Sequence, residues 1–434
     1  MTQERVSPAA RVDGDVDVPG DKSISHRALI LGALAKGRTY IGNASQAADV
    51  LATAACLRAC GVWVRDFPPD RYALDGAGAG VSLRSPDGVL DCANSGTTMR
   101  LLAGALAGSE CDATLDGDAS LRRRPMLRVA EPLRAMGAGI DASPEGTAPL
   151  RVRGRTRLEG VTWRSPVASA QVKSAILLAG LSADRPTTVV EPVPTRDHTE
   201  RMLGMCGVEV VSNGSEVTVH PGPLQPFGLR IPGDLSSAAF FLALAASRPG
   251  WRIRCRGVGI NPGRTGILTV LEAMGAAIQV EEGEPAGGVE PVGDVEVRGT
   301  HLHGVTISGS LTVRSIDELP IIAVLASQAD GDTVIRDAGE LRNKETDRIA
   351  VLETGLRLLG VPCESSPDGL AVHGPVRLRA AHLDAAGDHR FAMAWAIAAA
   401  LVPEGGGDTV IEGADAAAVS YPGFFTDLAT LLSS

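Results

Sequence analysis

The residues of this chain best suited to chemistry lie in one short stretch, which contains Lys22, Ser23 and Arg27. They follow a Pro19-Gly20 turn and open an apolar run, Ile24 to Leu34, that is long enough for a helix. The free backbone N–H groups at a helix start favour an anion, and the lysine, the hydroxyl and the arginine add three donors. The stretch therefore predicts a phosphate or carboxylate site. The alternative is a capped surface helix with two solvated cations.

Similar polar clusters precede other helical segments along the chain. Together they supply Asn94, Thr97, Arg100, Arg124, Ser169, Gln171, Lys173, Arg196, Asp317, Glu318, Lys344, Glu345, Arg348, His389 and Arg390. Two like charges roughly 4 Å apart repel by about 4 kcal/mol at an effective dielectric near 20, so a cleft lined by arginines favours an anionic ligand. Because arginine binds phosphate with two parallel hydrogen bonds, we expect a substrate that carries a phosphate.

Two acidic residues in these clusters, Asp317 and Glu345, are candidates for acid–base catalysis. The segment from Lys344 to Arg348 is predicted to open a helix, which would put Glu345 and Arg348 three residues apart on one helical face. Taken alone, this segment is also compatible with an exposed, salt-bridged first turn.

A repeated element must position these clusters. A polar opening, an Ala- and Leu-rich helix, a turn and a strand of the Thr-x-Ile or Thr-x-Val type recur six times, with openings near residues 22, 94, 169, 234, 315 and 388. A second helix that ends on glycine, as at Gly61 and Gly137, alternates with the first. Each unit therefore holds two helices and a few short strands, which predicts an α/β fold.

Six units in 434 residues predict two domains of three units each. Residues 231–234 repeat the Pro-Gly-Asp pattern of residues 18–21, so these two turns are predicted to form a two-strand hinge. The first domain would span residues 21–232, and the second would combine residues 1–20 with 233–434. The alternative is an open solenoid of stacked units.

The composition excludes several classes of function. Hydrophobic residues make up 44% of the chain and charged residues 21%, as in globular proteins, and the net charge of -10 argues against a nucleic-acid partner. The seven cysteines are odd in number and scattered, which indicates a reducing compartment, and none of them has metal-site spacing. The first twelve residues do not resemble a signal peptide, and no run is long enough to span a membrane.

Three segments resemble the signatures of the 5-enolpyruvylshikimate-3-phosphate synthase family. They are Pro19 to Arg27, Asn94 to Arg100 and Leu341 to Arg348, and their order and the six-unit pattern agree over essentially the whole chain. The resemblance implies two inside-out α/β domains that close on their substrates. It also implies transfer of the enolpyruvyl group of phosphoenolpyruvate to the 5-hydroxyl of shikimate 3-phosphate, through a tetrahedral addition–elimination intermediate, in the shikimate pathway to chorismate and the aromatic amino acids.

The resemblance also assigns roles to residues. Shikimate 3-phosphate would be held by Ser23, Arg27, Ser169, Gln171 and Arg196, with Lys344 nearby. Phosphoenolpyruvate would be held by Lys22, Arg124, Arg348 and Arg390 beside Gly96. Further substrate-binding residues would be Asn94, Thr97 and Asp317. Asp317 would accept the hydroxyl proton, Glu345 would handle the proton at the methylene carbon, and Lys22 would assist the departing phosphate. The implied enzyme is a cytoplasmic monomer that needs no metal or organic cofactor, is inhibited by glyphosate, and has neither nucleic-acid nor membrane partners.

The chain departs from the family pattern at two positions. Val419 stands where members often have lysine, so one cation of the phosphoenolpyruvate site is missing or replaced. Gly96 stands where the glyphosate-tolerant branch, which residues 169–173 and 195–200 resemble, typically has alanine. Two other functions stay open. A UDP-N-acetylglucosamine enolpyruvyl transferase would use a loop cysteine, where this chain has Leu121 to Met126 without one, and a non-catalytic anion-binding scaffold would keep only the fold.

Overall fold

The computed structural model describes residues 2–78 and 83–433. Its helices are α1 (Lys22–Leu34), α2 (Ala48–Ala59), α3 (Gly96–Ala107), α4 (Leu127–Ala135), α5 (Ala170–Gly180), α6 (His198–Met205), α7 (Leu235–Ala246), α8 (Gly266–Ala273), α9 (Ser310–Arg314), α10 (Leu319–Ala326), α11 (Arg348–Leu358), α12 (His389–Ala400) and α13 (Phe424–Leu432). Short 3-10 helices span Leu121–Arg123, Gly339–Asn343 and Ala414–Val419. Among these residues no helix has both the length and the apolar character that a membrane span requires.

The strands are short and lie between the helices. They are β1 (Gln3–Val6), β2 (Asp13–Val16), β3 (Lys36–Gly42), β4 (Trp63–Phe67), β5 (Arg71–Ala77), β6 (Leu90–Asp91), β7 (Asp112–Asp116), β8 (Gly139–Asp141), β9 (Leu150–Arg153), β10 (Thr162–Arg164), β11 (Thr187–Val190), β12 (Val210–Asn213), β13 (Glu216–Val219), β14 (Gly228–Arg230), β15 (Arg252–Gly259), β16 (Ala277–Glu282), β17 (Val292–Arg298), β18 (Thr306–Ile307), β19 (Gly331–Ile335), β20 (Cys363–Ser366), β21 (Gly369–Gly374), β22 (His382–Asp384) and β23 (Thr409–Glu412).

The same sheet pattern recurs through the described chain. Five sheets have four strands, with the orders β14-β3-β5-β4, β6-β7-β9-β8, β10-β11-β13-β12, β2-β15-β17-β16 and β18-β19-β21-β20. In each of them the first pair is parallel and the next two pairs are antiparallel. The sixth sheet, β22-β23-β1, has three strands and recruits β1 from the N-terminal segment. The repeated unit seen in the sequence is thus a repeated α/β structure.

The first helix of each repeat lies in the core, and the sheets lie outside it. All twelve residues of α7 are buried, and so are all twelve of α12, because their Ala-, Leu- and Phe-rich sequences have no polar face after the first turn. The strands instead alternate, as in β9, whose residues are buried and exposed in turn. This arrangement is the inside-out α/β fold that the family resemblance implied.

The described chain divides into two compact units. Unit 1 comprises residues 1–19, 232–284 and 291–434, and unit 2 comprises residues 20–231 and Pro285–Glu290. The sequence predicts residues 285–290 in the same domain as the rest of the C-terminal half, because nothing local distinguishes this turn from its neighbours. In the structure the segment belongs to unit 2, where the Glu290 carboxylate contacts His198 at 2.8 Å and both side chains are almost fully buried. The chain therefore passes between the units at residues 284–285 and 290–291, in addition to the two predicted crossings near residues 20 and 232.

The helices of unit 1 exclude a linear stack of repeats. There α7, α10 and α12 each pack against the other two, whereas in a solenoid the first and third units would be separated by the second. In unit 2, α3 packs against both α1 and α5, and Arg27 of α1 donates to the Ser174 hydroxyl of α5 at 2.8 Å. Each unit is therefore a closed group of three repeats.

Close packing of α3 against α5 generates a stability prediction. A Cβ added at Gly104 of α3 would lie 2.2 Å from the carbonyl oxygen of Ala175 in α5, so Gly104→Ala forces two helix backbones apart. We expect this substitution to destabilise the chain by about 1–3 kcal/mol and to lower its thermal unfolding midpoint. The matched control is Gly204→Ala in α6, where nothing lies within 4 Å of the added Cβ, and its midpoint should be unchanged or slightly higher. Equal midpoints for the two variants would contradict the prediction.

Candidate active site

The candidate residues of unit 2 gather at the start of its three buried helices. Each helix is capped by a side chain that accepts a backbone N–H: Asp21 at α1, Ser95 at α3 and Ser169 at α5. These ends carry the positive pole of the helix dipole and unpaired N–H groups, so together they favour anions. The prediction that a helix begins at Lys22 is confirmed.

At the start of α1, the two cations are held by protein groups. The Lys22 ammonium lies 2.9 Å from the Asp49 carboxylate, and both side chains are mostly buried. Arg27 donates to the Thr199 hydroxyl at 2.7 Å and to the Ser23 carbonyl oxygen at 2.9 Å. Because Arg27 is only 4% exposed, the alternative of a surface helix with two solvated cations is wrong.

The buried Arg27 lies in a field of other charges. Burial lowers the pKa of its guanidinium to about 10, the carboxylate of Glu200 opposes that shift, and the positive charge of Arg196 adds to it. Arg196 itself is half-buried just before α6. The structure thus brings two of the predicted shikimate 3-phosphate ligands, Arg27 and Arg196, close enough to repel each other.

At the start of α3, two buried guanidinium groups border Gly96. A Cβ placed on Gly96 would lie 3.1 Å from Nη1 of Arg100 and 3.2 Å from Nη1 of Arg124. The Arg124 guanidinium also donates to the Asn94 side-chain oxygen at 2.5 Å, and the Asn94 amide donates to Asp118 at 2.6 Å. Of the three consecutive arginines in this loop, Arg124 is buried, whereas Arg122 and Arg123 are exposed.

At the start of α5, Gln171 joins two helices. Its side-chain oxygen accepts from Nη1 of Arg100, and its amide donates to the Thr97 hydroxyl at 2.9 Å. Lys173 of the same helix lies away from this group, because its ammonium contacts Glu191 at 2.8 Å and Glu200 at 2.7 Å. Although burial opposes its charged form, these carboxylates raise the pKa of Lys173, which identifies it as an internal ion-pair residue.

The candidate residues of unit 1 gather around the Asp317 carboxylate. Its Oδ1 atom lies 3.3 Å from Lys344 Nζ and 3.8 Å from Arg348 Nη1, and its Oδ2 atom lies 3.8 Å from Arg264 Nη1. The Asp317 side chain is 16% exposed, whereas the Arg264 and Arg348 side chains are 5% and 2% exposed. Asp317 therefore combines solvent access with cations that favour its ionised form.

Glu345 contacts the same arginine. Nη2 of Arg348 lies 2.7 Å from the Glu345 carboxylate, and Nε donates to the fully buried Asp388 at 2.7 Å. Although burial opposes the charged form, Asp388, Glu345 and Asp317 together raise the pKa of Arg348. The two side chains pair three residues apart as predicted, but the prediction that Glu345 lies within the helix is wrong, because α11 begins at Arg348 with Asp347 as its cap.

The remaining residues of unit 1 lie at the starts of α12 and α10. Arg390 donates to the Ser236 carbonyl oxygen at 3.3 Å and lies 3.9 Å from the Glu318 carboxylate. Nδ1 of His389 lies 3.8 Å from Oδ1 of the Asp388 carboxylate. Val419, where the family often has a lysine, is the last residue of a short 3-10 helix.

Sequence reasoning missed two residues that the structure places in these groups. Asp49 pairs with Lys22, and Arg264 contacts Asp317, although 27 and 53 positions respectively separate the partners along the chain. Both lie outside the polar openings of the repeats, so no local pattern indicated them. In the described part of the chain, no three His, Cys, Asp or Glu side chains gather as a metal ion would require.

Comparisons with known proteins agree over nearly the whole chain. The family model for EPSP synthase (3-phosphoshikimate 1-carboxyvinyltransferase) matches residues 6–428. A 3-phosphoshikimate 1-carboxyvinyltransferase of Roseiflexus sp. (strain RS-1) is 50% identical over 430 residues, which cover 98% of each chain. The EPSP synthase structure from Acinetobacter baumannii superposes with a TM-score of 0.87 at 38% identity and covers 99% of this chain and 98% of that one.

A more distant structure shares the fold alone. The enolpyruvyl transferase NikO from Streptomyces tendae superposes with a TM-score of 0.78 at 19% identity, over 98% of this chain and 96% of that one. The UDP-N-acetylglucosamine enolpyruvyl transferase alternative is not favoured by these findings. The family model matches nearly the full length, and about half of the residues are identical to those of the Roseiflexus relative. The chain therefore belongs to the EPSP synthase family, the 3-phosphoshikimate 1-carboxyvinyltransferases.

Proposed function

We propose that this chain transfers the enolpyruvyl group of phosphoenolpyruvate to the 5-hydroxyl of shikimate 3-phosphate and releases phosphate, with the residues described above in the roles that follow. The observation that carries the proposal is the pairing of Asp317 and Glu345 with neighbouring nitrogens of one buried guanidinium, that of Arg348. Two carboxylates around one cation provide two proton-transfer groups beside a site for an anionic substrate. A non-catalytic scaffold would not require this arrangement.

Each substrate has its own set of ligands. Shikimate 3-phosphate is bound by Ser23, Arg27, Ser169, Gln171, Arg196 and Lys344, and phosphoenolpyruvate by Lys22, Asn94, Gly96, Thr97, Arg124, Arg348 and Arg390. The helix starts and buried cations of both units support this assignment, because each favours a phosphate or a carboxylate. We further propose that binding of both ligands draws the two units together, since each unit supplies part of the ligand set.

In the addition step, Asp317 accepts the proton of the 5-hydroxyl as its oxygen attacks C2 of phosphoenolpyruvate. The methylene carbon C3 gains a proton from Glu345, which gives the tetrahedral intermediate. In the elimination step, Glu345 removes a proton from the new methyl group, the double bond re-forms, and the bond from C2 to the phosphate oxygen breaks. Lys22 stabilises the charge on the departing phosphate.

The contact between Glu345 and Arg348 connects substrate binding to this proton transfer. While Arg348 contacts Glu345 at 2.7 Å, the positive charge favours the Glu345 carboxylate, which cannot donate a proton. A substrate carboxylate bound to Arg348 would take over that contact and would favour protonated Glu345. The acid needed for addition would then form only when phosphoenolpyruvate is bound.

The wider setting follows from the same residues. One chain supplies every proposed ligand, so we propose that the enzyme acts as a monomer. All seven cysteines are buried free thiols, which fits a reaction in the cytoplasm. Glyphosate, an anion that would share the phosphoenolpyruvate ligands, is the proposed inhibitor.

The first prediction concerns the two carboxylates. We expect Asp317→Asn and Glu345→Gln each to lower kcat by about 10²-fold or more, because each removes a proton-transfer group, while substrate affinity changes far less. The measurement is phosphate release from phosphoenolpyruvate with and without shikimate 3-phosphate, which also tests the proposed function itself. Matched controls are Asp332→Asn, at an exposed residue of unit 1, and Glu353→Gln in α11. Near-normal kcat in either test variant would remove that residue from the mechanism.

The second prediction concerns Gly96. An added Cβ would lie 3.1–3.2 Å from Arg100 and Arg124, so these flexible side chains must shift slightly and the space beside them shrinks. Glyphosate is the longer of the two anions, so we expect Gly96→Ala to raise its inhibition constant more than the KM for phosphoenolpyruvate. The difference should be about 1–3 kcal/mol, typical of steric discrimination. Steady-state inhibition at several phosphoenolpyruvate concentrations measures it, and equal shifts would show that Gly96 does not border the inhibitor.

A further inference from the structure

Arg264 is a buried cation that the mechanism above does not use. It precedes α8, and its side chain is 5% exposed. Its Nη2 atom donates to the Asp234 carboxylate at 3.0 Å and to the Ser236 hydroxyl at 2.6 Å, while Nη1 lies 3.8 Å from Oδ2 of Asp317. One guanidinium thus contacts the openings of two different repeats.

The partners of Arg264 lie at the starts of two core helices. Asp234 caps α7, where it accepts the Ser236 N–H at 2.9 Å. The Ser236 hydroxyl donates to Glu318, the residue that follows Asp317 and precedes α10. Arg264 therefore connects the first turn of α7, directly and through Ser236, to the segment that carries Asp317.

The contacts of Asp317 are divided between its two oxygens. Lys344 and Arg348 lie on the side of Oδ1, at 3.3 Å and 3.8 Å, whereas Arg264 lies on the side of Oδ2. Lys344 and Arg348 are proposed substrate ligands, so Oδ1 is the oxygen that faces the substrates. The Arg264 guanidinium is itself held by Asp234 and Ser236, so its ion-pair contact at 3.8 Å attracts Oδ2 and favours the orientation in which Oδ1 lies beside Lys344 and Arg348.

We propose that Arg264 is a positioning residue for the reaction: it holds Oδ2 of Asp317 so that Oδ1 accepts the proton of the attacking hydroxyl. The proposal rests on the proposed function, because it takes Asp317 as the base. Arg264 contacts no substrate in this scheme. The competing explanation is that Arg264 only stabilises the start of α7.

Two variants separate these explanations. We expect Arg264→Gln to lower kcat by about 10²-fold, the usual effect of a misplaced catalytic group, with KM changed by less than about threefold. The acid limb of its kcat–pH profile should move to higher pH, because Lys344 and Arg348 alone then favour the Asp317 carboxylate. Arg264→Lys keeps the positive charge, so the acid limb of its kcat–pH profile should stay near that of the wild type. One ammonium cannot replace both the Nη1 and the Nη2 contacts, so the kcat of this variant should fall by about tenfold.

The matched control is Arg252→Gln on β15 of the same unit, which loses contacts to Asp13, Asp15 and Glu296. Its kcat and pH profile should equal those of the wild type, even if its thermal unfolding midpoint falls. Thermal unfolding of every variant shows whether it is folded. If Arg264→Gln does not fold, Arg264→Lys decides: a folded lysine variant with normal KM and reduced kcat supports the proposal, and one with normal kcat overturns it.

The remaining outcomes are equally distinct. A folded Arg264→Gln variant with normal kcat, or with reduced kcat and an unmoved acid limb, would assign Arg264 a structural role only. Wild-type protein that releases no phosphate from phosphoenolpyruvate and shikimate 3-phosphate would overturn the proposed function, and this proposal with it. Active wild type with unaffected Arg264 variants would overturn this proposal alone.

Discussion

The constraint on which the candidate site depends is the burial of positive charge at the starts of the core helices. An isolated cation moved from water into a protein interior loses several kcal/mol of hydration, and the positive pole of a helix adds to that cost. Several of these cations have a carboxylate beside them: Lys22 has Asp49, and Arg348 has Asp388 and Glu345. Others, such as Arg27 and Arg124, donate to hydroxyl, carbonyl or amide oxygens. These oxygen partners allow the chain to fold with its cations in place.

The inside-out arrangement of each unit is what brings these charges together. Helices without a polar face must be surrounded on all sides, so the first helix of each repeat lies in the centre and the sheet covers the outside. Small residues allow the central helices to approach closely, as Gly104 does against Ala175. The polar openings of three repeats then lie at neighbouring helix ends, although more than 60 residues separate them along the chain.

On the proposed mechanism, the pairs that stabilise the fold also regulate the chemistry. A substrate anion must compete with a protein carboxylate for the same cation, and the carboxylate it displaces becomes easier to protonate. Arg348 illustrates this, because it contacts both Glu345 and Asp317. Such a design limits acid–base catalysis to the loaded site and leaves the cations paired at other times.

Much of the fold and part of the site can be predicted from the sequence, because both depend on short-range patterns. The polar opening at Lys22, the apolar run after it and the six-fold repeat are local features, and hydrophobic periodicity and helix capping are decided within a few residues. The types of the site residues were likewise predictable, since arginine and lysine at helix starts indicate an anion. Only the tertiary structure decided which cations are internal, such as Lys173 between Glu191 and Glu200, and which carboxylates compensate them. It also placed residues 285–290 in unit 2 and Arg264 beside Asp317. These contacts join residues that are distant in the chain. They form because helix packing brings the two charged side chains together, and no local sequence pattern encodes that packing.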